Sequence, residues 1–192
     1  MIRSRLIILV LLLLPLPALG APPLFRPYAG RGLLIIPAAP LSVDAIIYEY
    51  PGVRRKGTIP VAELPSLSPA ISLKGGEIAV ATVAVREGYV RVAVAPSGEA
   101  QWLELRPTWR TIPWERFLTG RSIRLPAGVR ESASRLRESP SETGAVLGTA
   151  SAGSSLVVSE IRDDWAQVLS KGTLLGWLRW RDGDGRLLVT VE

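Results

Sequence analysis

Apolar residues recur at every second position in short runs along the chain, and turn signals separate these runs. In residues 89–94, Val90, Val92 and Val94 fall on one side of the run and polar or smaller residues fall on the other. This period of two is typical of a β-strand. Comparable runs are residues 78–85, 102–105, 155–161, 165–169, 175–180 and 186–191. The pattern predicts an all-β fold with short, tightly connected strands.

The chain of 192 residues contains neither cysteine nor histidine. These two absences exclude a thiol nucleophile, a Ser-His-Asp triad, an imidazole general base and a zinc site of the usual ligand set. They also exclude disulfides, so stability must come from packed cores. The apolar fraction of 47% is that of a globular chain, and this length allows about one to two domains.

The first twenty residues have the pattern of a secretory signal peptide. Two arginines precede the unbroken apolar run 6–14, and two prolines and the small-residue stretch 18–20 follow it. We expect cleavage after Gly20, export to the periplasm or the exterior, and no stable membrane span afterwards. The alternative is an uncleaved N-terminal membrane anchor, although the prolines interrupt the roughly 20 apolar residues that a spanning helix needs.

The formal net charge is +6, and it becomes +4 once residues 1–20, with two arginines and no acid, are removed. An exported chain with scattered arginines is not expected to bind nucleic acid. The charge would face anionic envelope polymers or lipid headgroups. A GC-rich genome would also account for the excess of arginine over lysine.

Residues 107–127 interrupt the β pattern. Pro113 and Gly120 bracket a short stretch in which Trp114, Phe117 and Leu118 would share one face of a helix. Proline near a helix start and glycine just past its end are typical helix boundaries. We therefore expect a short helical connector whose apolar face packs into a domain junction.

The two β-rich halves carry aromatic residues and glycines in the same order. Residues 162–165 end in Trp165 and are followed 12 positions later by Trp177, while residues 86–89 end in Tyr89 and are followed 13 positions later by Trp102. Such self-similarity indicates an internal repeat. The simplest interpretation is two copies of one small barrel.

The second half resembles the bacterial Src homology 3 domain, a small, partly open β-barrel found in exported and cell-wall proteins. Five spaced elements over residues 130–182 carry the resemblance: Leu136 to Pro140, Val146 to Gly148, Gly153, Asp164 to Val168 and Gly176 to Leu178. Residues 42–106 match less well, because Tyr89 stands where tryptophan is usual and Gln101 replaces the glycine before Trp102. That half is either a divergent copy or another β-barrel with similar hairpins.

These observations predict two small SH3-like, partly open β-barrels in tandem, joined by a short helical connector. The expected segments are a signal peptide at 1–20, a Pro-rich extension at 21–41, a divergent barrel at 42–106, the connector at 107–127 and the bacterial SH3-like domain at 128–192. The extension is expected to contain one strand near 33–36.

The candidate ligand-binding surface follows from the alternation along two strands. Ala166 and Val168 would point into the barrel, so Trp165 and Trp177 would lie together on an outer groove. Indoles there could stack on a sugar or grip a peptide, or they could cap the barrel core. The candidate ligand-binding residues are Trp165, Trp177, Asp163, Asp164 and Arg137 in the second half and Tyr89, Trp102, Tyr48 and Tyr50 in the first.

Catalytic and metal sites have little support in the sequence. No lysine lies in a Ser-x-x-Lys sequence, and residues 182–185 fit a hairpin turn better than a calcium loop. A carboxylate pair for glycan hydrolysis has candidates only by residue type: Glu77, Glu99, Glu104 and Asp163. We therefore expect no catalytic residues, no metal and no cofactor.

Three functions from different classes remain. The resemblance implies a non-catalytic, exported envelope module that recognises peptidoglycan, through its stem peptide or its glycan, with aromatic grooves. The alternative is an envelope adaptor or sensor whose partner is an extended or Pro-rich peptide of another protein. A glycan hydrolase is the remote alternative, because small barrels lack the long cleft that such enzymes need.

Overall fold

The structure is a computed structural model that describes residues 26–38 and 43–192. The predicted signal peptide lies outside the described residues. No helix in the described part of the chain is long and apolar enough to cross a membrane.

Two seven-stranded antiparallel sheets form nearly all the regular secondary structure of the described residues, which confirms the predicted all-β class. The strands of the first sheet are β1 Gly32–Ile36, β2 Asp44–Tyr50, β3 Val53–Pro60, β4 Ile78–Arg86, β5 Tyr89–Ala93, β6 Ala100–Glu104 and β7 Arg110–Pro113. The strands of the second sheet are β8 Ser122–Arg124, β9 Arg135–Arg137, β10 Val146–Thr149, β11 Ser155–Arg162, β12 Trp165–Ser170, β13 Thr173–Arg179 and β14 Thr190–Val191.

Helical structure is minor. Helix α1 is Trp114–Leu118 and helix α2 is Glu131–Ser134, and two 3₁₀ turns are Val61–Glu63 and Lys74–Gly76. The segment predicted as the connector contributes β7 to the first sheet, α1 to the junction and β8 to the second sheet.

The two sheets have the same topology. The first runs β3-β2-β6-β5-β4-β1-β7, and the second runs β10-β9-β13-β12-β11-β8-β14, which is the same order with seven added to every strand number. The repeat that the aromatic residues indicate in the sequence is therefore a repeat of the whole strand arrangement.

The repeat extends to the hairpin register. Arg86 pairs with Tyr89 across the turn from β4 to β5, and Arg162 pairs with Trp165 across the turn from β11 to β12. Each hairpin also carries a β-bulge three residues before this arginine, at residue 83 in β4 and at residue 159 in β11. A bulge at the same place adds the same local twist to both sheets.

Strand β1 is buried on both faces. It pairs with β4 on one side and β7 on the other. Leu34 and Ile36 lie in the core of the first barrel, while Leu33 and Ile35 lie in a second apolar cluster that continues into the second barrel. The short strand expected near 33–36 is thus an interior strand of the first sheet.

Helix α1 fills the junction between the sheets. Trp114, Phe117 and Leu118 are all buried, so the expected apolar face packs as predicted. The indole of Trp114 lies 5.1 Å from the indole of Trp180, centre to centre. Its Nε1 donates a hydrogen bond of 2.9 Å to the carbonyl of Ala29.

Backbone hydrogen bonds also join the two halves. The amide of Ala29 donates to the carbonyl of Gly185 at 2.7 Å, and the amide of Val191 donates to the carbonyl of Ala70 at 2.8 Å. Paired backbone groups of this kind resist relative rotation because each broken bond would expose two polar groups that the junction satisfies. These bonds therefore connect the two barrels directly through their backbones.

Candidate functional site

The outer face of β12 and β13 carries the two predicted tryptophans. Ala166, Val168 and Leu178 are completely buried in the barrel, as the alternation predicts. Trp165 lies opposite Arg179 in the register, and Trp177 lies opposite residue 167. The two indoles are therefore diagonal neighbours on the outer face.

Arginine side chains cover both indoles. The guanidinium carbons of Arg137 and Arg179 lie 6.0 Å and 5.8 Å from the ring centre of Trp165, and that of Arg162 lies 5.3 Å from the ring centre of Trp177. Only 7% of Trp165 and 5% of Trp177 remain exposed. The outer face is thus a layered stack of cations on aromatic rings, an arrangement that is favourable through the ring quadrupole.

Glu142 links the two arginines that flank Trp165. Its Oε2 lies 3.4 Å from Nη2 of Arg137, and its Oε1 pairs with Nη1 of Arg179. The Arg137 Nη1 donates a hydrogen bond of 2.8 Å to the carbonyl of Gly144. Nε of Arg137 is buried and has no hydrogen-bond partner among the described residues.

The two predicted aspartates contact the junction. The carbonyl of Asp163 accepts a hydrogen bond of 3.0 Å from Nε1 of Trp180. The carboxylate of Asp164 pairs with Arg181 at 2.6 Å, and Arg181 in turn donates to the carbonyl of Gly30 at 2.5 Å. These contacts connect the β11–β12 turn to the first barrel.

The first sheet carries an equivalent aromatic face. Tyr48 lies opposite Trp102 in the register and makes an edge-to-face contact with Tyr89 at 5.4 Å. The guanidinium carbon of Arg86 lies 5.6 Å from the ring centre of Trp102, just as Arg162 covers Trp177. Tyr50 extends further out and is 63% exposed.

The hydroxyl of Tyr48 lies beside an acid. It donates a hydrogen bond of 3.4 Å to Oε2 of Glu104. Desolvation, together with the negative charge of Glu104, raises the pKa of Tyr48 above its ordinary value. The neutral phenol is thus held as a hydrogen-bond donor on this face.

Sequence reasoning missed four residues of these faces: Arg86, Arg162, Arg179 and Glu142. The sequence contains a signal for the first two. Arg86 and Arg162 each stand three residues before the aromatic residue that begins the next strand, Tyr89 in β5 and Trp165 in β12. Glu142 has no such signal, since its contacts depend on the path of the loop between β9 and β10.

A cleft of about 600 Å³ lies beside the Trp165 face. Glu142 and Arg179 form part of its wall, and Arg26, Arg130 and Ser132 also line it. A second cleft of about 600 Å³ lies where the barrels meet, with a floor that includes Ala81 and Ala93. The described residues contain no group of three or more acids that could hold a metal ion.

Residues 132–183 match the family model described as bacterial SH3 domain, which confirms the resemblance of the second half. No curated protein matches the chain. Among solved structures, it is similar to NlpC2 from Trichomonas vaginalis, with 11% identity, a TM-score of 0.35, and coverage of 83% of this chain and 48% of that one.

Two further structures are similar. NlpC1 from Trichomonas vaginalis has 13% identity, a TM-score of 0.35, and coverage of 82% of this chain and 49% of that one. The endolysin LysPBC5 CBD has 14% identity, a TM-score of 0.26, and coverage of 85% of this chain and 95% of that one. The chain therefore spans about half the length of the two NlpC structures.

Proposed function

We propose that this protein is a non-catalytic, exported binding module of the bacterial cell envelope that recognises peptidoglycan. The observation that carries the proposal is the outer face of the second barrel, where a segment that matches the bacterial SH3 domain places arginine side chains over two largely covered indoles. The same topology occurs in the first barrel with its own aromatic face.

The chemistry of these faces favours a polymer that combines sugar rings with acidic peptides. Arginines such as those over Trp165 and Trp177 bind carboxylates with charge-assisted hydrogen bonds, and the exposed ring of Tyr50 on the first barrel can stack on a sugar ring. In the second barrel, the proposed contacts on this face are Trp165, Trp177 and Arg137, and Asp163 and Asp164 are proposed contacts at the neighbouring β11–β12 turn. In the first barrel, they are Tyr48, Tyr50, Tyr89 and Trp102.

The proposal that the module is non-catalytic is based on the side chains available. Without cysteine or histidine in the chain, hydrolysis would have to use carboxylates. On the two aromatic faces, the carboxylates of Glu104 and Glu142 are engaged by a tyrosine and by two arginines. Export to the envelope follows from the signal-peptide pattern of residues 1–20 and is part of the same proposal.

Sedimentation with purified cell-wall sacculi tests the proposed function. We expect the protein to sediment with sacculi. Trp165→Ala should lose about tenfold in affinity while its circular dichroism spectrum remains that of the folded protein. Tyr50→Ala should also weaken binding, and the matched control is Val53→Ala, because Val53 is 61% exposed and pairs with Tyr50 on the neighbouring strand. A protein that stays in the supernatant would contradict peptidoglycan binding and favour the adaptor of envelope peptides.

A further inference from the structure

We propose that the Trp165 face is a carboxylate-binding site and that Glu142 of the same chain occupies it in the free protein. This inference builds on the proposed function, since it names the chemical group of the envelope polymer that the second barrel recognises. The group is a carboxylate, carried either by a wall peptide or by the lactyl ether of the glycan.

The geometry around Glu142 is that of a bound carboxylate. The guanidinium carbons of Arg137 and Arg179 lie 6.0 Å and 5.8 Å from the ring centre of Trp165, and each arginine engages one of the two Glu142 oxygens. A ligand carboxylate at this position would meet the same two cationic donors. Two-point recognition by arginine fixes the orientation of a carboxylate as well as its position.

Glu142 is positioned to be displaced. It lies in the loop between β9 and β10, and its side chain is 58% exposed. Ion pairs at such exposed positions are weak, because water solvates both partners well and the side chains lose freedom on pairing. Arg137, in contrast, is 10% exposed at its side chain and is fixed to the carbonyl of Gly144. Arg137 is therefore held in place, whereas Glu142 is bound weakly enough for a ligand to displace it.

The surface beside this site has room for the rest of a ligand. The neighbouring cleft of about 600 Å³ is lined by Arg26, Arg130 and Ser132, and also by Asp182, whose carboxylate pairs with Arg26 at 2.9 Å, so it offers both donors and acceptors to the remainder of a ligand. A carboxylate attached to a larger polar molecule thus fits this surface.

The first barrel provides an internal comparison. In the shared register, Tyr48 occupies the position of Arg137, because each lies opposite the equivalent tryptophan. Glu104 occupies the position of Arg179, opposite the first aromatic residue of its hairpin. A tyrosine and an acid replace the two arginines, so the first barrel cannot bind a carboxylate in the same way.

The test removes the internal carboxylate and follows the Nε1–H signal of Trp165 by NMR. The probes are N-acetyl-alanyl-alanine against its C-terminal amide, and N-acetylmuramic acid against N-acetylglucosamine. We expect Glu142→Gln to bind at least one acid about three- to tenfold more tightly than the wild type, which is the gain from losing two exposed ion pairs. Arg179→Gln should lose the response.

Glu138→Gln is the matched control, because it removes the same charge from the same loop and Glu138 forms no ion pair within the described part of the chain. The acid that shifts the signal identifies the source of the carboxylate, peptide or glycan. Equal affinities of Glu142→Gln and Glu138→Gln, or equal responses to an acid and its uncharged partner, would overturn the inference. Binding of the acids without sedimentation on sacculi would overturn only the proposed function, and sedimentation without any response to the acids would overturn only this inference.

Discussion

Gly176 shows how a single residue fixes the approach of two strands in the second barrel. Its φ is +129°, and a Cβ added there would lie 2.7 Å from the carbonyl oxygen of Arg137. This backbone conformation is essentially restricted to glycine. The glycine before Trp177 in the sequence pattern therefore has a physical cause, which is that β13 passes too close to β9 for any side chain.

We expect Gly176→Ala to destabilise the protein by about 2 kcal/mol, because the substituted residue must adopt a strained φ or push β9 away. The measurement is urea unfolding followed by circular dichroism. Gly148→Ala is the control, since a Cβ at Gly148 meets nothing within 4 Å and its φ is not positive. If both variants had the same midpoint, the close approach of β13 to β9 would not be a constraint.

Which side of a strand a residue faces was predictable, but what covers it was not. The alternation correctly placed Ala166 and Val168 inside the barrel and Trp165 on the opposite face of β12, but Trp165 is only 7% exposed there. The cover on Trp165 comes from Arg137 and Arg179, and long arginine side chains have too many rotamers for sequence spacing to define their direction.

At the scale of elements, the alternating strands were predictable, whereas the fully buried strand was predicted in the N-terminal extension and not as part of the first barrel. Strand β1 is a continuous apolar run, and both of its faces are covered. Periodicity does not distinguish such a run from an isolated extended segment. Strand β8 has three residues and β14 has two, so only their pairing partners define them as strands.

Helix α1 was predictable from its boundary residues. Although it is short, its packing connects the two halves of the molecule. Its five residues place Trp114 between Ala29 of the first half and Trp180 of the second. We expect Trp114→Ala to lower the free energy of unfolding by about 3–5 kcal/mol, the usual cost of truncating a buried large aromatic residue.

The measurement for Trp114→Ala is thermal and urea unfolding against Arg116→Ala. Arg116 lies on the same helix with its side chain exposed, so its replacement by alanine keeps helix propensity and leaves the junction intact. A loss of the same size in both variants would show that the helix itself, rather than the indole in the junction, determines stability.

At the scale of the whole molecule, the repeated topology and the shared apolar cluster act together. Each barrel has the same strand order, yet the second barrel's core is continuous with residues on the outer face of β1 and β4 of the first. Small domains bury a limited fraction of their surface. Joining the two cores increases that fraction, so the two barrels should fold as one cooperative unit.

Calorimetry tests this cooperativity through Arg181, which connects the halves. Its guanidinium pairs with Asp164 at 2.6 Å and donates to the carbonyl of Gly30 at 2.5 Å. We expect the wild type to unfold in one transition with equal calorimetric and van't Hoff enthalpies.

Arg181→Met should lower the free energy of unfolding by about 1–3 kcal/mol, because Asp164 and the Gly30 carbonyl lose a charged donor at a partly buried site. Arg124→Met, which breaks the exposed pair of Arg124 with Glu192 inside one barrel, should cost at most about 1 kcal/mol. Two separate transitions in the wild type would mean that the barrels unfold independently and that the junction does not couple them.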